Sequence, residues 1–234
     1  YGLTALGRRH LVDPGPDLER AWLVHQAGKA RGWMELPYIL AHGRRPPVSR
    51  RPRNLHAFAH TMAEGDPAKI DEAVDAILSY AQPRHPRSII DVGGGLGHVA
   101  LRFAARGLQA TVFDTPRIID LAQQQRTVDS PVHLVAGDFN VALPPGPFDM
   151  AYLGNVFHIY GPAKNRRLAR RVHRMLALGG VLAAVDFVWD RSPRARMFAV
   201  DMLQATDEGG VWLEEEYRAW LSEAGFEDVQ IVDL

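Results

Sequence analysis

The chain has no cysteine among its 234 residues. That absence excludes a disulfide framework, a Cys-ligated zinc site, an iron–sulfur cluster and thiol catalysis. Lysine is nearly absent too: only Lys29, Lys69 and Lys164 occur, and every other basic side chain is arginine, a bias of composition rather than of function. Net charge is missing, with 27 basic against 27 acidic residues. A whole-surface electrostatic grip on nucleic acid is therefore not expected, because phosphate binding needs a basic excess somewhere. No apolar run approaches the roughly 20 residues that span a bilayer, and no signal-peptide pattern opens the chain. What is present is a 47% hydrophobic fraction. A chain of this length can bury roughly three-quarters of its unfolded surface without staples. The expectation is a soluble, cytoplasmic globular protein with no nucleic-acid or membrane partner and no metal site.

The spacing of apolar residues sets the expected element order. Asp17 to Gly28, with Leu18, Ala21, Trp22 and Val24, suits a short amphipathic helix. Trp33 to Leu40 suggests a second helix broken by Pro37. Gly43, Pro46, Pro47 and Pro52 among arginines read as a solvated connecting loop. Residues 54–82 read as helical. From Ser88 the pattern alternates. Strands are expected at Ser88–Val92, Ala110–Phe113, Val132–Ala136, Phe148–Leu153, Val181–Phe187 and Val229–Asp233. Helices are expected at Val99–Arg106, Pro116–Gln125, Pro162–Leu176 and Glu214–Ala224. Apolar strands alternating with helices predict an α/β fold, a mostly parallel, doubly wound sheet covered on both faces. Residues 1–82 form an expected helical N-terminal segment and 83–234 the catalytic domain.

The sharpest local signal is Asp91-Val92-Gly93-Gly94-Gly95-Leu96-Gly97, which leaves a strand and opens a helix. Four glycines in five positions let the backbone turn tightly and approach a ligand with no Cβ in the way. The helix N-terminus that follows favours a negative group. The dinucleotide pattern Gly-x-Gly-x-x-Gly would need a third glycine where His98 stands. Asp114, at the end of the next strand, is placed to hydrogen-bond a ribose diol. A ribose carboxylate is shared by nicotinamide and S-adenosylmethionine (SAM) sites, so Asp114 alone does not choose between them.

Several segments together carry a resemblance. Asp91 to Gly97 resembles motif I of class I SAM-dependent methyltransferases. Val112-Phe113-Asp114-Thr115-Pro116 resembles the "FDLP" segment of the bacterial and plant small-molecule O-methyltransferases of the caffeic-acid and acetylserotonin type. Gly137-Asp138-Phe139 resembles their "GDFF", Asn155-Val156-Phe157-His158 their "NVLH", and Leu178-Gly179-Gly180 their "PGG". Glu216 to Leu221 with Ala224-Gly225-Phe226 resembles their tail "EYRxWLxxAGF". The resemblance runs along nearly the whole chain, and its order and spacing are far more specific than the glycine turn.

What the resemblance implies is a Rossmann-like methyltransferase fold, SAM as cofactor, and methyl transfer to a hydroxyl of a small aromatic secondary metabolite. In the family the glycine turn holds the methionine end of SAM, which carries over to Gly93, Gly95 and Gly97. Asp114 would take the ribose, and Asp138 with Phe139 the adenine; Asp91 and Asn155 belong to the same cofactor set. The general base of the family falls on His158, and Asp186, 28 positions later, stands where the plant members have a bracing Glu. Phe58, Met62, Met202 and Trp212 would contact the acceptor, or else pack as core. Two departures stand out. Ile159-Tyr160 replaces the Asp-Trp that often follows the His, and Val211 stands where plant members carry a second bracing Glu.

The ends of the chain carry further expectations. Tyr1-Gly2-Leu3-Thr4 resembles the last strand of the winged-helix dimerisation domain that precedes this catalytic domain, so a homodimer through a largely missing domain is implied. A final antiparallel strand after Val229–Asp233 is likewise expected to be missing. Alternatives are a SAM-dependent N- or C-methyltransferase, a SAM-fold protein with altered chemistry, an NAD-type oxidoreductase, and a non-catalytic winged-helix regulator.

Overall fold

The computed structural model describes residues 2–12, 18–46, 54–63, 66–127 and 129–233, in two compact units, Tyr1–Gly65 and Asp66–Leu234. The first unit contains helices α1 (Ala5–Leu11), α2 (Leu18–Met34), α3 (Leu36–His42) and α4 (Leu55–Ala63). Thr4 caps α1 by accepting the Gly7 amide at 3.1 Å, so the opening segment enters a helix instead of the expected strand. A hydroxyl at the N-cap satisfies an amide that a strand would have paired with a neighbour. Pro37 starts α3 rather than breaking it, because a helix's first turn has no use for the missing N–H. The α2–α4 contact includes the His25 and Phe58 rings, 5.9 Å apart. Of the expected connecting loop, 47–53 lies outside the described residues.

In the second unit, α5 (Pro67–Ala81) precedes β1 (Ser88–Val92), α6 (His98–Ala105), β2 (Gln109–Asp114), α7 (Pro116–Gln125), β3 (Val132–Ala136), β4 (Phe148–Gly154), α8 (Pro162–Met175), β5 (Leu176–Val185), α9 (Pro193–Ala205) and α10 (Glu214–Ala224). The long helix expected over 54–82 is two helices, because Asp66 caps a new start at Pro67. Helix α5 belongs with the sheet-bearing unit, where Asp71 and Asp75 meet Arg102 and Arg106 of the α6 end.

The five strands form a parallel sheet in the order β3-β2-β1-β4-β5. The order reverses between β1 and β4, which is where doubly wound sheets open a crevice at their carboxyl ends. Alternate residues feed two cores. Ile89, Ala110, Val112, Met150 and Tyr152 join Val74, Ala100 and Phe103 on one face. Ile90, Val92, Phe113, Ala151 and Leu153 join Leu168, Val172 and Trp220 on the other. Burying each such aliphatic side chain stabilises by about 1.5–3 kcal/mol.

Two sequence expectations meet corrections here. Residues 229–233 form no strand. Their polar groups are taken by side chains instead: Arg218 donates to the Val229 carbonyl, and Arg191 pairs with Asp233 at 2.8 Å. No neighbouring strand among the described residues offers them a ladder. The second correction is α9, which the sequence pattern did not suggest. Ser192 caps it and Pro193 opens it, but its buried residues, Ala195, Met202 and Gln204, make no simple apolar stripe.

Candidate active site

The glycine turn is a backbone construction. Gly93, Gly95 and Gly97 have φ of 76°, 59° and 84°, left-handed values that other residues reach only with strain. A Cβ on Gly94 would lie 2.6 Å from Asp91 Cγ, and one on Gly97 would lie 3.2 Å from Val112. Beside Gly95 there is open space, with nothing within 4 Å of a would-be Cβ. Asp114, at the tip of β2, accepts the Gly95 amide at 3.0 Å and the Thr115 amide at 2.6 Å. Burial raises its carboxyl pKa above the ordinary value even against those two hydrogen bonds. Asp91 is buried beneath the turn. Desolvation, helped by the charge of Asp114, pushes its pKa up to about 8. His98 follows Gly97; burial and the Arg102 guanidinium hold its imidazole below the ordinary value, so the α6 N-terminus carries no added cation at neutral pH.

The loop after β3 brings Asp138 and Phe139. Asp138 is exposed and caps its own turn, accepting the Asn140 amide at 2.8 Å. Phe139 is buried edge-on to Tyr160, with centroids 5.7 Å apart, and its ring lies 3.6 Å from the Cβ position of Gly93. Tyr160 in turn accepts from Asn140 Nδ2 at 3.0 Å.

After β4, Asn155 turns the chain with φ 60° and donates its amide to Val185 at 2.8 Å. Val156 then packs against Gly93. A 3₁₀ turn, Phe157–Ile159, presents His158, which is only 7% exposed. Asp186, one residue beyond β5, faces it. Its Oδ1 lies 2.7 Å from His158 Nδ1, and its Oδ2 accepts the His158 amide at 3.1 Å. Oδ1 also accepts the Phe187 amide at 2.8 Å. With both oxygens accepting, the neutral ring is held as the Nδ1–H tautomer and Nε2 is left as an acceptor. Phe198 of α9 packs against the imidazole at 4.7 Å and stacks on Phe187 at 4.2 Å.

The structure thus brings Asp91, the glycine turn, Asp114, Phe139, Asn155, His158 and Asp186 to one edge of the sheet, with Asp138 beside Phe139. Met202 is buried in α9. Trp212 turns its indole N–H onto the Phe157 carbonyl at 3.1 Å. Phe58 and Met62 lie on α4, in the other unit. Gly210 donates its amide to the His158 main-chain carbonyl at 2.9 Å. Asn165 was missed by sequence reasoning. It is fully buried and donates to both Phe157 and Tyr160 carbonyls. Its signal is readable: an asparagine stands on the apolar stripe that continues through Leu168, Ala169, Val172 and Met175.

A family model described as the O-methyltransferase domain matches residues 26–227. The chain belongs to that family. This O-methyltransferase domain is 32% identical over 153 residues to the Streptomyces glaucescens tetracenomycin polyketide synthesis 8-O-methyl transferase TcmO, covering 61% of the chain and 44% of that protein. It is 33% identical over 150 residues to the N,N-dimethyltransferase OxyT of Streptomyces rimosus, covering 59% and 42%. The domain therefore spans less than half the length of these curated relatives. Its fold matches that of human N-acetylserotonin methyltransferase solved in complex with SAM, at a TM-score of 0.80 and 22% identity over 98% of this chain and 71% of that one. The family and the α/β fold read from the sequence motifs are both borne out. Among the described residues, no helix is long and apolar enough to cross a membrane.

Proposed function

We propose that this domain transfers a methyl group from SAM to a hydroxyl of a small aromatic secondary metabolite, with His158 as general base. One observation carries the reading: the glycine turn and the His158 turn touch, through Gly93 and Val156, at the sheet's crevice. The residues present fit the cofactor. Left-handed glycines leave open space at Gly95, Asp114 keeps lone pairs free for a ribose diol, and the Phe139 ring borders the same turn. Gly93, Gly95 and Gly97 would hold the methionine end, with Asp91 beneath them; Asp138, Phe139 and Asn155 would border the nucleoside. When bound, SAM supplies an electrophilic methyl whose leaving group is a neutral thioether.

The chain's own residues must then align the acceptor and take its proton. Alignment of reacting groups is worth up to roughly 7–11 kcal/mol. A phenol near pKa 10 gives its proton to an imidazole near 6.5 uphill by roughly 5 kcal/mol. Proton transfer to His158 Nε2 is therefore concerted with attack of the acceptor oxygen. Asp186 keeps Nδ1 protonated and stabilises the imidazolium that forms. Met202 and Trp212, in the same unit as His158, would line the acceptor side. The 33% identity to OxyT favours a second reading, methyl transfer to nitrogen, with His158 orienting the acceptor. By family resemblance the whole protein is a cytoplasmic homodimer.

Calorimetry with SAM and with NAD tests the cofactor. Binding of SAM alone is expected, and NAD in its place would overturn the assignment. Labelled-methyl transfer to a panel of hydroxylated and amino aromatics, N-acetylserotonin among them, then separates oxygen from nitrogen acceptors.

A further inference from the structure

The backbone that carries His158 is held to an unusual degree. Four successive residues, Phe157 to Tyr160, form the turn, and three of their carbonyls are gripped from elsewhere in the chain. Asn165, at the start of the second turn of α8, donates one amide hydrogen to Phe157 at 2.9 Å and the other to Tyr160 at 3.0 Å. Trp212 Nε1 donates to the Phe157 carbonyl at 3.1 Å. Gly210 takes the His158 carbonyl at 2.9 Å. A Cβ on Gly209 would lie 2.3 Å from that same oxygen, so the loop presses directly on the turn.

We infer that Asn165 and Trp212 are positioning residues that act through His158: together they fix the turn so that Nδ1 meets Asp186 and Nε2 faces the crevice.

Three features support this. Asn165 is 0% exposed, yet its Oδ1 has no partner among the described residues. A buried unpaired acceptor costs stability, a cost set against the two bonds that the same amide donates. What the amide alone supplies is a pair of donors that span the residues on either side of His158. The Nδ1–Asp186 contact is short, and a tautomer-fixing bond is sensitive to small displacements of the ring. Finally, Trp212 comes from a loop distant in sequence, yet reaches the same carbonyl as Asn165. The turn's own Tyr160 amide already reaches that oxygen at 3.4 Å, so the two side-chain donors add geometric definition beyond pairing it. The catalytic consequence rests on the reading of His158 as base; the effect on the ring does not.

The test uses the full chain with ¹⁵N-labelled histidine and S-adenosylhomocysteine as the binding probe. In the unsubstituted protein, His158 is expected to show a single Nδ1–H tautomer. In Asn165→Leu/Trp212→Phe it is expected to show a mixture. Affinity for S-adenosylhomocysteine should stay within about twofold, and turnover on the first active phenol of the acceptor panel should fall about 100-fold, the size of effect that a 1 Å misplacement produces. A double variant that binds the probe and keeps both tautomer and turnover overturns the proposal. If it does not bind the probe, Trp212→Phe alone serves, since it removes the N–H donor and keeps an aromatic ring, though a smaller one. A mixed tautomer and a roughly fivefold loss are then expected, and an unchanged ring and rate overturn the proposal. His158→Ala separates the two readings. If it leaves turnover intact, the base assignment fails while the tautomer result stands. If it abolishes turnover but the Asn165 and Trp212 variants do not lower it, positioning fails and the base assignment stands.

Discussion

The glycine turn and the His158 turn lie against each other, yet they are built by opposite means. At Gly93–Gly97 the shape comes from what is missing. Three left-handed backbone angles and the room left by absent Cβ atoms make a cradle whose parts are consecutive in the chain. At Phe157–Tyr160 the shape comes from what is added. Asp186 after β5, Asn165 on α8 and the loop carrying Gly210 and Trp212 each contribute a hydrogen bond. The comparison teaches that the glycine cradle is local, whereas the turn read as moving a proton is assembled from distant segments. A local cradle should fail through its own residues, and an assembled turn should fail through its supports.

The largest expected effect tests whether the two turns have separate duties. His158→Ala should lower turnover by about 10²- to 10⁴-fold, the range for loss of a positioned base. Calorimetry should show SAM affinity nearly unchanged. Equal losses in both would merge the two regions into one. Gly94→Ala should do the reverse. Its new methyl would meet Asp91 Cγ at 2.6 Å, and overpacking of this kind costs about 1–3 kcal/mol. Thermal unfolding should report the loss, together with weakened SAM binding.

A smaller effect is expected at Asp114. Asp114→Asn should weaken SAM binding about tenfold through the loss of a charge-assisted hydrogen bond. Turnover at saturating SAM should hold; an unchanged affinity would remove the carboxylate from the ribose site.

A different kind of effect concerns Asp91 and pH. Its carboxyl titrates at about 8 when folded, against an ordinary 3.8. Between those values the folded protein keeps a proton that the unfolded chain has lost. Stability of the SAM-free protein should therefore fall as pH rises through that window and level off above it. Melting curves of Asp91→Asn should lose most of this slope, the remainder coming from Asp114, whose pKa is also raised.

Most of the fold was legible because its signals are short-range. The strands from Ser88 to Leu153 were readable from apolar runs ended by Gly or Asp, and α8 from Pro162; Gly179 and Gly180, expected to follow α8 as its stop, lie inside β5. The misses share a cause. Residues 229–233 look like a strand, but a strand exists only where a neighbour offers a ladder; here Arg218 and Arg191 take the polar groups. Helix α9 hides because its buried residues, Ala195, Met202 and Gln204, make no simple stripe. At the site, His158 and Asp186 could be paired through the family pattern. The hold of Gly210, Asn165 and Trp212 on the turn's carbonyls could not.

The sequence by itself determined the turn that needs glycine and the alternation that buries a parallel sheet, since backbone sterics and the strand period act between near neighbours. Only the tertiary structure decided which carbonyls around His158 are held, and by what. Those bonds join Asn165, Asp186, Gly210 and Trp212 across long stretches of chain. A hydrogen bond depends on tenths of an ångström, and that precision arises only once both cores have closed around the sheet.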